Sequence, residues 1–400
     1  MSSPDVLIIG AGPAGTAAAI TLARAGRSVL VADKATFPRD KCCGDGLTTG
    51  ALRLLEQLGF APAMVPSWQR IDAAWVRSPS GREVGFPFPA NRGVFGAVAP
   101  RRELDAALVG LAEAAGADVR QGHALSAITN TAQGVEATID GVGVIRPEFV
   151  IAADGMWSPT RKLLGLSTEG YLGEWHAFRQ YADHVTGSAA ERLWIWFEPD
   201  LLPGYVWSFP LPGNRANVGF GILRDGVRKV SDMKALWPDL LQRPHIAAAL
   251  GPSVTWPERH TAWPIPARVD KAVLGRDRVL FVGDAAAATD TLTGEGIGQA
   301  LLTGIVAAES ISADASTETV QADYAQAVRH HLLADHRLSH LLGRALAHER
   351  GARGSVRVAG ATDWTRRNFA RWLFEDEPRA ILGTPRRWHR HFLDRAGAFQ

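Results

Sequence analysis

The sequence is poor in cysteine and contains no long hydrophobic run. Cys42 and Cys43 are the only two cysteines among its 400 residues, and they are adjacent. Neighbouring cysteines rarely pair with each other because the resulting ring is strained. A disulfide framework is therefore excluded, and a reducing, cytoplasmic setting is expected. No apolar run approaches the ~18 residues of a membrane-spanning helix, and we expect no signal peptide.

The chain also lacks a strong charge of either sign. Its formal net charge is +2, from 43 Lys and Arg against 41 Asp and Glu. This balance gives no electrostatic argument for nucleic acid as a partner. Hydrophobic residues make up 46% of the sequence and charged residues 21%, which is typical of a globular protein. The length indicates two or three domains, and we find no internal repeat.

The stretch from Asp5 to Asp33 contains the strongest motif. An apolar strand is followed by glycines in G-x-G-x-x-G spacing, a helix-like segment and a second apolar run that ends on an acid. The first glycine permits a tight turn, the second lets the backbone approach a pyrophosphate, and the third lets helix pack on strand. The motif predicts dinucleotide binding without separating FAD from NAD. Its candidate cofactor residues are Gly10, Gly12, Pro13, Ala14, Gly15, Asp33 and Lys34.

Two later apolar strands end in acids expected at the rim of the same cleft. Open α/β sheets bind ligands at the carboxyl ends of their strands. After the second of these strands, a long Ala-rich helix begins, and its N-terminus would stabilise negative charge on a reduced flavin. This order of segments favours FAD over NAD, although each segment alone is also compatible with an ordinary strand-to-helix turn. The candidate contacts are Asp154, Gly155, Gly283, Asp284, Gly294, Gly296 and Ile297.

A loop dense in small residues carries both cysteines. In the segment Lys41-Cys42-Cys43-Gly44, backbone amides can reach a ligand and Lys41 supplies positive charge. The alternative is a surface loop with two inert thiols. Arg101, at the start of a predicted helix over 102–115, is either a flavin or pyrophosphate contact or a solvated charge at a helix end.

An aromatic, strand-rich region follows at residues 171–223. Its short connections predict an antiparallel sheet. Alternation along the strands places Tyr205, Trp207 and Phe209 on one face, and it likewise pairs Trp194 with Trp196. Such faces form either the core of a sheet or, beside a flavin, the lining of an apolar pocket.

The segment after residue 315 is predicted to be helical and is rich in Arg and His. It is either an amphipathic element at a membrane surface or a set of helices packed on the core with solvated charges. Its histidine pairs lack further ligands at a recognisable spacing, so no metal is expected.

In this order, the glycine motif, Asp154-Gly155 and Gly283-Asp284 resemble the glutathione-reductase-type FAD fold of the p-hydroxybenzoate hydroxylase superfamily. The segment from Lys41 to Gly46 resembles the K-x-C-G-x-G segment of geranylgeranyl reductases and related prenyl reductases. Tyr205-x-Trp207-x-Phe209-Pro210 is similar to their Y-x-W-x-F-P segment. The resemblance extends from residue 1 to about residue 310 and leaves out the C-terminal part.

The resemblance implies non-covalent FAD, reduced by NADPH or NADH, and hydride transfer from flavin N5 to a C=C bond of an isoprenoid or other apolar substrate. It implies that Cys43 lies beside the flavin, with Cys42 at a variable position. Tyr205 and Trp207 would line the catalytic face, and Cys43 or Tyr205 would supply the proton. An FAD monooxygenase, either a hydroxylase or a halogenase, acting on an aromatic or carrier-bound substrate is the main alternative. A non-catalytic flavoprotein is a further one.

The predicted fold class is α/β, with three parts. A glutathione-reductase-type, Rossmann-like FAD-binding domain is expected at 1–66, 97–170 and 272–314, and an antiparallel β substrate domain at 67–96 and 171–271. A helical region is expected at 315–400. The expected partner is an apolar small molecule, with peripheral membrane contact through the C-terminal region as a further expectation.

Overall fold

A computed structural model describes residues 3–131, 134–224, 228–313, 316–389 and 394–400. The helices are α1 (Pro13–Arg24), α2 (Thr49–Gln57), α3 (Arg101–Ala114), α4 (Pro159–Leu163), α5 (Met233–Gln242), α6 (Pro244–Leu250), α7 (Ile297–Ser312), α8 (Thr317–Val328), α9 (Ala334–Leu346), α10 (Glu349–Ala359) and α11 (Asp363–Leu373). A π-helical turn, Arg329–Leu333, joins α8 to α9. Shorter 3-10 turns occupy Pro62–Met64, Ser188–Ala190, Val230–Asp232, Gly283–Ala286, Ile381–Gly383 and Pro385–Arg387.

The strands, in chain order, are β1 (Val6–Ile9), β2 (Val29–Asp33), β3 (Gly46–Leu47), β4 (Gln69–Arg70), β5 (Ala73–Arg77), β6 (Glu83–Pro87), β7 (Ala97–Val98), β8 (Asp118–Gln121), β9 (Leu125–Thr131), β10 (Gly134–Ile139), β11 (Gly143–Ile145), β12 (Phe149–Ala152), β13 (Trp175–Ala182), β14 (Leu193–Trp196), β15 (Tyr205–Leu211), β16 (Arg215–Leu223), β17 (Thr261–Ile265), β18 (Gly275–Arg276) and β19 (Val279–Phe281). The largest sheets have the orders β18-β19-β12-β1-β2-β8 and β17-β13-β16-β15-β14-β5-β6.

The first sheet is built around β1, which pairs in parallel with β2 and β12. Every residue of these three strands is buried, as expected for parallel strands covered on both faces. Helices α1 and α7 cross at close range because both are rich in small residues. A Cβ on Gly304 would lie 2.1 Å from the main-chain oxygen of Ala14. The close packing fixes the N-termini of both helices at the carboxyl edge of the sheet.

A small β-meander follows α3: strands β9, β10 and β11 form a separate antiparallel sheet. The strand before it, β8, instead pairs in parallel with β2 and extends the first sheet.

The second sheet is antiparallel except where β14 pairs in parallel with β5. Strands β5 and β6 form an antiparallel hairpin at one edge of this sheet. One face of this sheet is core, where Trp194 and Trp196 stack at a centroid distance of 5.5 Å and α5 contributes Trp237. Of the two alternatives for the Trp194 and Trp196 face, the core of the sheet is the one observed, because α5 and α6 cover this face.

The C-terminal region is helical, as predicted, and it packs against both sheets. Phe369 of α11 lies 4.7 Å from Phe86 of β6, and Phe374 lies 4.7 Å from Phe88, between ring centroids. Near the end of the chain, Ala398 bridges to Val94. Among the described residues, no helix combines the length and apolarity needed to cross a membrane.

Candidate functional site

The turn after β1 is shaped by three glycines with different roles. Gly10 has a φ of +104°, and a Cβ there would lie 2.4 Å from the oxygen of Ala153. A Cβ on Gly15 would lie 1.8 Å from the oxygen of Gly10. Gly12 alone has room, since its nearest neighbour would be Arg39 Nη2 at 3.7 Å. The N-terminus of α1 is thus open at Gly12, where a phosphate would meet free backbone amides.

The acid at the end of β2 holds this turn in place. One carboxylate oxygen of Asp33 accepts a hydrogen bond from Ala11 N at 2.7 Å, and the other accepts one from Ala35 N at 2.8 Å. Each oxygen keeps a further lone pair, so Asp33 can still accept from a ribose hydroxyl.

The end of β12 provides an acceptor that no side chain uses. Asp154 Oδ2 accepts from Thr160 N at 2.9 Å, whereas Oδ1 is buried with no hydrogen-bond partner among the described residues. Burial raises the pKa of this carboxyl. Gly155 follows with a φ of +80°, and a Cβ there would meet no atom within 4 Å. An unpartnered buried oxygen beside open space fits a hydroxyl-bearing ligand.

A cavity of about 980 Å³ connects this turn to the second sheet. Its nucleotide-facing end is lined by Gly10, Gly12, Pro13, Ala14, Asp33, Lys34, Asp154, Gly155, Gly283 and Asp284. Its middle is lined by Lys41, Cys42, Cys43, Gly44, Arg101, Gly294, Gly296 and Ile297. Its apolar end is lined by Ile195, Phe197, Tyr205, Trp207, Phe209, Leu342, Leu346, Val356, Phe369, Trp372 and Leu373. The cavity therefore gathers every site residue predicted from the sequence except Gly15, whose role is packing.

Comparison with known proteins identifies the cofactor class. The family model described as "FAD binding domain" matches residues 3–324, which is most of the chain. A menaquinone reductase of Mycolicibacterium smegmatis is 33% identical over 331 residues, covering 78% of this chain and 78% of the relative. The chain belongs to the geranylgeranyl reductase family of FAD-dependent oxidoreductases. Within the p-hydroxybenzoate hydroxylase superfamily, it therefore stands with the reductases.

Other relatives agree with this membership. Digeranylgeranylglycerophospholipid reductase 1 of Methanopyrus kandleri is 34% identical over 318 residues, covering 76% of this chain and 79% of the relative. A geranylgeranyl bacteriochlorophyll reductase-like structure from Thermoplasma acidophilum has a TM-score of 0.79 at 20% identity. It covers 97% of this chain and 100% of that chain, so the mixed α/β FAD-binding fold with C-terminal helices is shared over its whole length.

The residues of the nucleotide-facing end fit FAD. Gly12 leaves space for a pyrophosphate, and Asp154, one of whose carboxylate oxygens has no hydrogen-bond partner among the described residues, lines the same cavity. At the start of α7, Gly294 has a φ of +71°, and Gly296 is the N-cap. Gly294, Gly296 and Ile297 at this helix N-terminus line the middle of the cavity, where the positive end of the helix dipole would stabilise negative charge on a flavin ring.

The cysteine loop is held by side chains of the second sheet that the sequence analysis did not single out. Asp45, fully buried with a φ of +64°, accepts from Tyr181 Oη at 2.6 Å and from Asn217 Nδ2 at 2.7 Å. Asn217 also donates to the main-chain oxygen of Cys43 at 2.8 Å. Burial raises the pKa of Asp45 to about 6, against the opposing effect of these two donors. No sequence pattern marks Asp45 as a non-glycine residue that adopts a left-handed conformation between two glycines.

Arg101 is buried, so the alternative of a solvated charge at a helix end is wrong. Its guanidinium makes two hydrogen bonds of 2.7 Å to Asp105, one turn along α3, and lies beside Cys43. Arg101 still lines the cavity, but most of its donors face protein.

The two thiols differ in their surroundings. Burial raises the pKa of Cys43 to about 11, although Arg101 lowers it, and Sγ accepts from Asp45 N at 3.3 Å. The Cys43 thiol is therefore protonated at neutral pH. Burial also raises the pKa of Cys42, whose thiol interacts with Thr261.

The ammonium group of Lys41 lies in the cavity, where an aromatic contact offsets part of the free energy needed to bury it. Its Nζ lies 3.5 Å from the ring centroid of Trp263, a cation–π contact. Burial lowers the pKa of Lys41 to about 8, opposed by the nearby charge of Asp284.

The aromatic face predicted on β15 lines the cavity and touches the cysteine loop. A Cβ on Gly44 would lie 3.2 Å from the Phe209 ring and 3.5 Å from Trp207 Nε1. Trp207 donates to Asn217 Oδ1 at 3.1 Å, and the Tyr205 hydroxyl donates to the main-chain oxygen of Thr293. The loop and the aromatic strand thus form one continuous wall that runs from the nucleotide-facing end of the cavity to its apolar end.

Proposed function

We propose that this protein reduces carbon–carbon double bonds of an isoprenoid or another extended apolar molecule. The observation that carries the proposal is the single cavity that joins the FAD cradle, the cysteine loop and an apolar chamber. Bound FAD, once reduced by NADPH or NADH, supplies the hydride. The proposal also adopts the glutathione-reductase-type arrangement of FAD, supported by the acids at the ends of β2, β12 and β19.

The chain's own residues provide orientation and a proton. The aromatic side chains Tyr205, Trp207 and Phe209 hold the apolar substrate against the cysteine loop. Cys43, whose thiol is protonated at neutral pH, stands where the loop meets this face and is the proposed immediate proton donor. Removing water from the chamber protects the positive charge that develops on carbon as the proton is added, until the hydride arrives.

The C-terminal helices close the apolar chamber. Leu342 and Leu346 of α9, Val356 of α10 and Phe369 of α11 line it opposite β15. This lining supports the proposed division into an FAD-binding domain, a β substrate domain and a helical region. In this proposal, the helical region contributes directly to substrate binding.

The same helices also suggest how an apolar substrate arrives. Leu341, Val358 and Trp364 are 60%, 69% and 62% exposed on α9, α10 and α11. Residues 337–367 contain seven arginines and two acids. We propose that this surface, Leu341, Val358, Trp364 and the surrounding arginines, contacts an anionic membrane, since exposed apolar side chains among cations are typical of interfacial binding.

The test is the mass of the product with and without oxygen. Incubation with a polyprenyl lipid and NADPH should yield products heavier by two hydrogens per reduced bond, equally under air and under nitrogen. A product that gains an oxygen atom and forms only in air would instead support the monooxygenase alternative.

A further inference from the structure

A second cavity lies behind the loop that leads into α7. Its volume is about 830 Å³, and its polar lining includes Arg53, Asp290, Gln299, Asp335, Glu375 and Arg379. Thr289 lines both this cavity and the FAD cavity, so the wall between them is thin at this point.

Polar atoms in this second cavity lack protein partners. Arg379 is 3% exposed, and its Nε and Nη1 have no hydrogen-bond partner among the described residues, although Nε lies 3.5 Å from Asp290 Oδ2. The oxygen Oε1 of Gln299 is likewise buried and without a partner. Buried donors and acceptors of this kind are normally satisfied by water, so the second cavity fits a solvent-filled chamber.

Two buried carboxyl groups occupy the wall between the cavities. Glu295 lines the FAD cavity and accepts from Gly298 N at 2.6 Å. Glu375 lines the second cavity and accepts from Arg379 Nη2 at 3.2 Å and from Thr48 Oγ1 at 3.4 Å. Thr48 itself lines the FAD cavity, so Glu375 is linked by hydrogen bonds to both sides of the wall.

The position of Glu375 is imposed by its surroundings. Its φ of +54° lies in the left-handed region, which non-glycine residues adopt only where neighbouring structure enforces it. Thr49 N at the start of α2 donates to Phe374 O at 2.7 Å. A Cβ on Gly50 would lie 3.2 Å from Glu375 O and 3.5 Å from Glu375 Cβ. Close packing against α2 therefore holds the backbone of Glu375 in this conformation.

The charged groups around the pair act differently on the pKa values of the two carboxyls. Burial, together with the charges of Glu375 and Asp290, raises the pKa of Glu295 to about 8, opposed by the Gly298 amide and Arg379. Burial also raises the pKa of Glu375, whereas Arg379 lowers it and Asp290 raises it. The charged groups facing the pair are thus Asp290, from the loop before α7, and Arg379, from the chain after α11. Because Arg379 Nη2 donates a hydrogen bond to Glu375, its positive charge favours placing the negative charge of the pair on Glu375 and the proton on Glu295.

We propose that Glu295 and Glu375 form a relay that carries protons from the second cavity into the FAD cavity. This rests on the proposed function. The substrate's π bond is replaced by two C–H bonds, one formed from the hydride and one from a proton. Glu295 gives a proton to Cys43, the proposed immediate donor, after the thiol has protonated the substrate. Glu375 then returns a proton to Glu295 from water in the second cavity. Tyr205 lies beside this route, since its hydroxyl donates to the main-chain oxygen of Thr293 and a Cβ on Gly294 would lie 3.8 Å from that hydroxyl.

The kinetic test compares Glu295→Gln and Glu375→Gln with wild type in single-turnover reduction of a polyprenyl lipid by pre-reduced enzyme. Both amides keep the shape of the side chain and cannot relay a proton. We expect the rate to fall by about 100-fold in each. Wild-type activity should decline above pH ~8, where the pair loses its proton, and Glu295→Gln should lack this decline.

The control is Glu198→Gln, which removes a buried carboxylate paired with Arg243 at 2.6 Å and lines neither cavity. Its pH profile should match wild type. FAD content and circular dichroism establish folding, and if Glu375→Gln does not fold, Glu295→Gln decides. Variants that match an active wild type in rate and pH profile overturn the relay alone, whereas a wild type that reduces no double bond overturns the proposed function.

A second readout needs no turnover. The infrared spectrum of the resting oxidised holoenzyme at pH 7 should contain a protonated-carboxyl band that Glu295→Gln lacks and Glu198→Gln retains. A Glu295→Gln spectrum with the wild-type carboxyl bands would overturn the proposal, because Glu295 would then hold no proton.

Discussion

The side-chain amide of Asn217 donates a hydrogen bond to the main-chain oxygen of Cys43 at 2.8 Å. This bond joins β16 of the second sheet to the cysteine loop beside the FAD cradle. The same amide donates to Asp45, so a single side chain sets both the path of the loop and the surroundings of its buried carboxyl. The second sheet therefore helps to fix the position of Cys43.

Replacing Asn217 should release the loop. In Asn217→Ala, the main-chain oxygen of Cys43 and the Asp45 carboxylate each lose a donor, and an unsatisfied buried acceptor costs about 1–3 kcal/mol. We expect retained FAD with turnover reduced at least about tenfold, measured by flavin absorbance and lipid reduction. Asn130→Ala, on the exposed meander, is the control. Wild-type turnover in Asn217→Ala would show that the loop holds its position without this bond.

The two cysteines should differ in importance. Cys43→Ala should retain FAD but lose most turnover, because the protonated thiol beside Arg101 and the aromatic face is gone. Cys42→Ala should have a mild effect, since its thiol interacts with Thr261 away from β15. Steady-state rates and flavin content for both variants check this. Equal, small effects would assign Cys43 to packing.

Gly12 should matter for FAD and not for folding. In Gly12→Ala, the added methyl meets only Arg39 at 3.7 Å, so the apoprotein should keep its stability. The methyl would nevertheless occupy the space a pyrophosphate needs, and we expect FAD affinity to fall by at least about tenfold. Gly110→Ala, inside α3 with open space around it, should stabilise by about 0.5–1 kcal/mol and leave FAD binding unchanged. Unchanged FAD affinity in Gly12→Ala would remove Gly12 from the phosphate cradle.

The exposed apolar residues of the C-terminal helices should mediate membrane contact. We expect the protein to float with vesicles containing phosphatidylglycerol and to release at high salt, because arginines supply part of the attraction. Leu341→Ser with Trp364→Ser should abolish flotation, whereas Met64→Ser, 42% exposed elsewhere on the surface, should not. Equal binding by all three proteins would place the contact elsewhere.

The nucleotide-facing half of the site was predictable from the sequence because its residues follow buried strands at fixed spacing. The glycine turn, the β12 end and the start of α7 depend on local backbone geometry, and all appear in the cavity as expected. The Tyr205, Trp207 and Phe209 face was also predictable, because strand alternation decides which side chains share a face.

The remaining features depend on contacts between distant segments. Asp45 and Asn217 are 172 residues apart and meet only because the second sheet packs on the cysteine loop. Glu375 reaches the wall of the FAD cavity from the C-terminal region, where no motif marked it. The sequence left the Trp194 and Trp196 face open between a sheet core and a pocket lining, because periodicity gives the face of a strand and not the element that covers it.

The most direct measurement is anaerobic reoxidation of the photoreduced enzyme by a polyprenyl lipid, followed by the return of oxidised-flavin absorbance. The account predicts stoichiometric reoxidation without oxygen and a product heavier by two hydrogens per reduced bond, with the reaction strongly slowed in Cys43→Ala. Flavin that stays reduced in the presence of lipid, but reoxidises with substrate oxygenation when air is admitted, would contradict it.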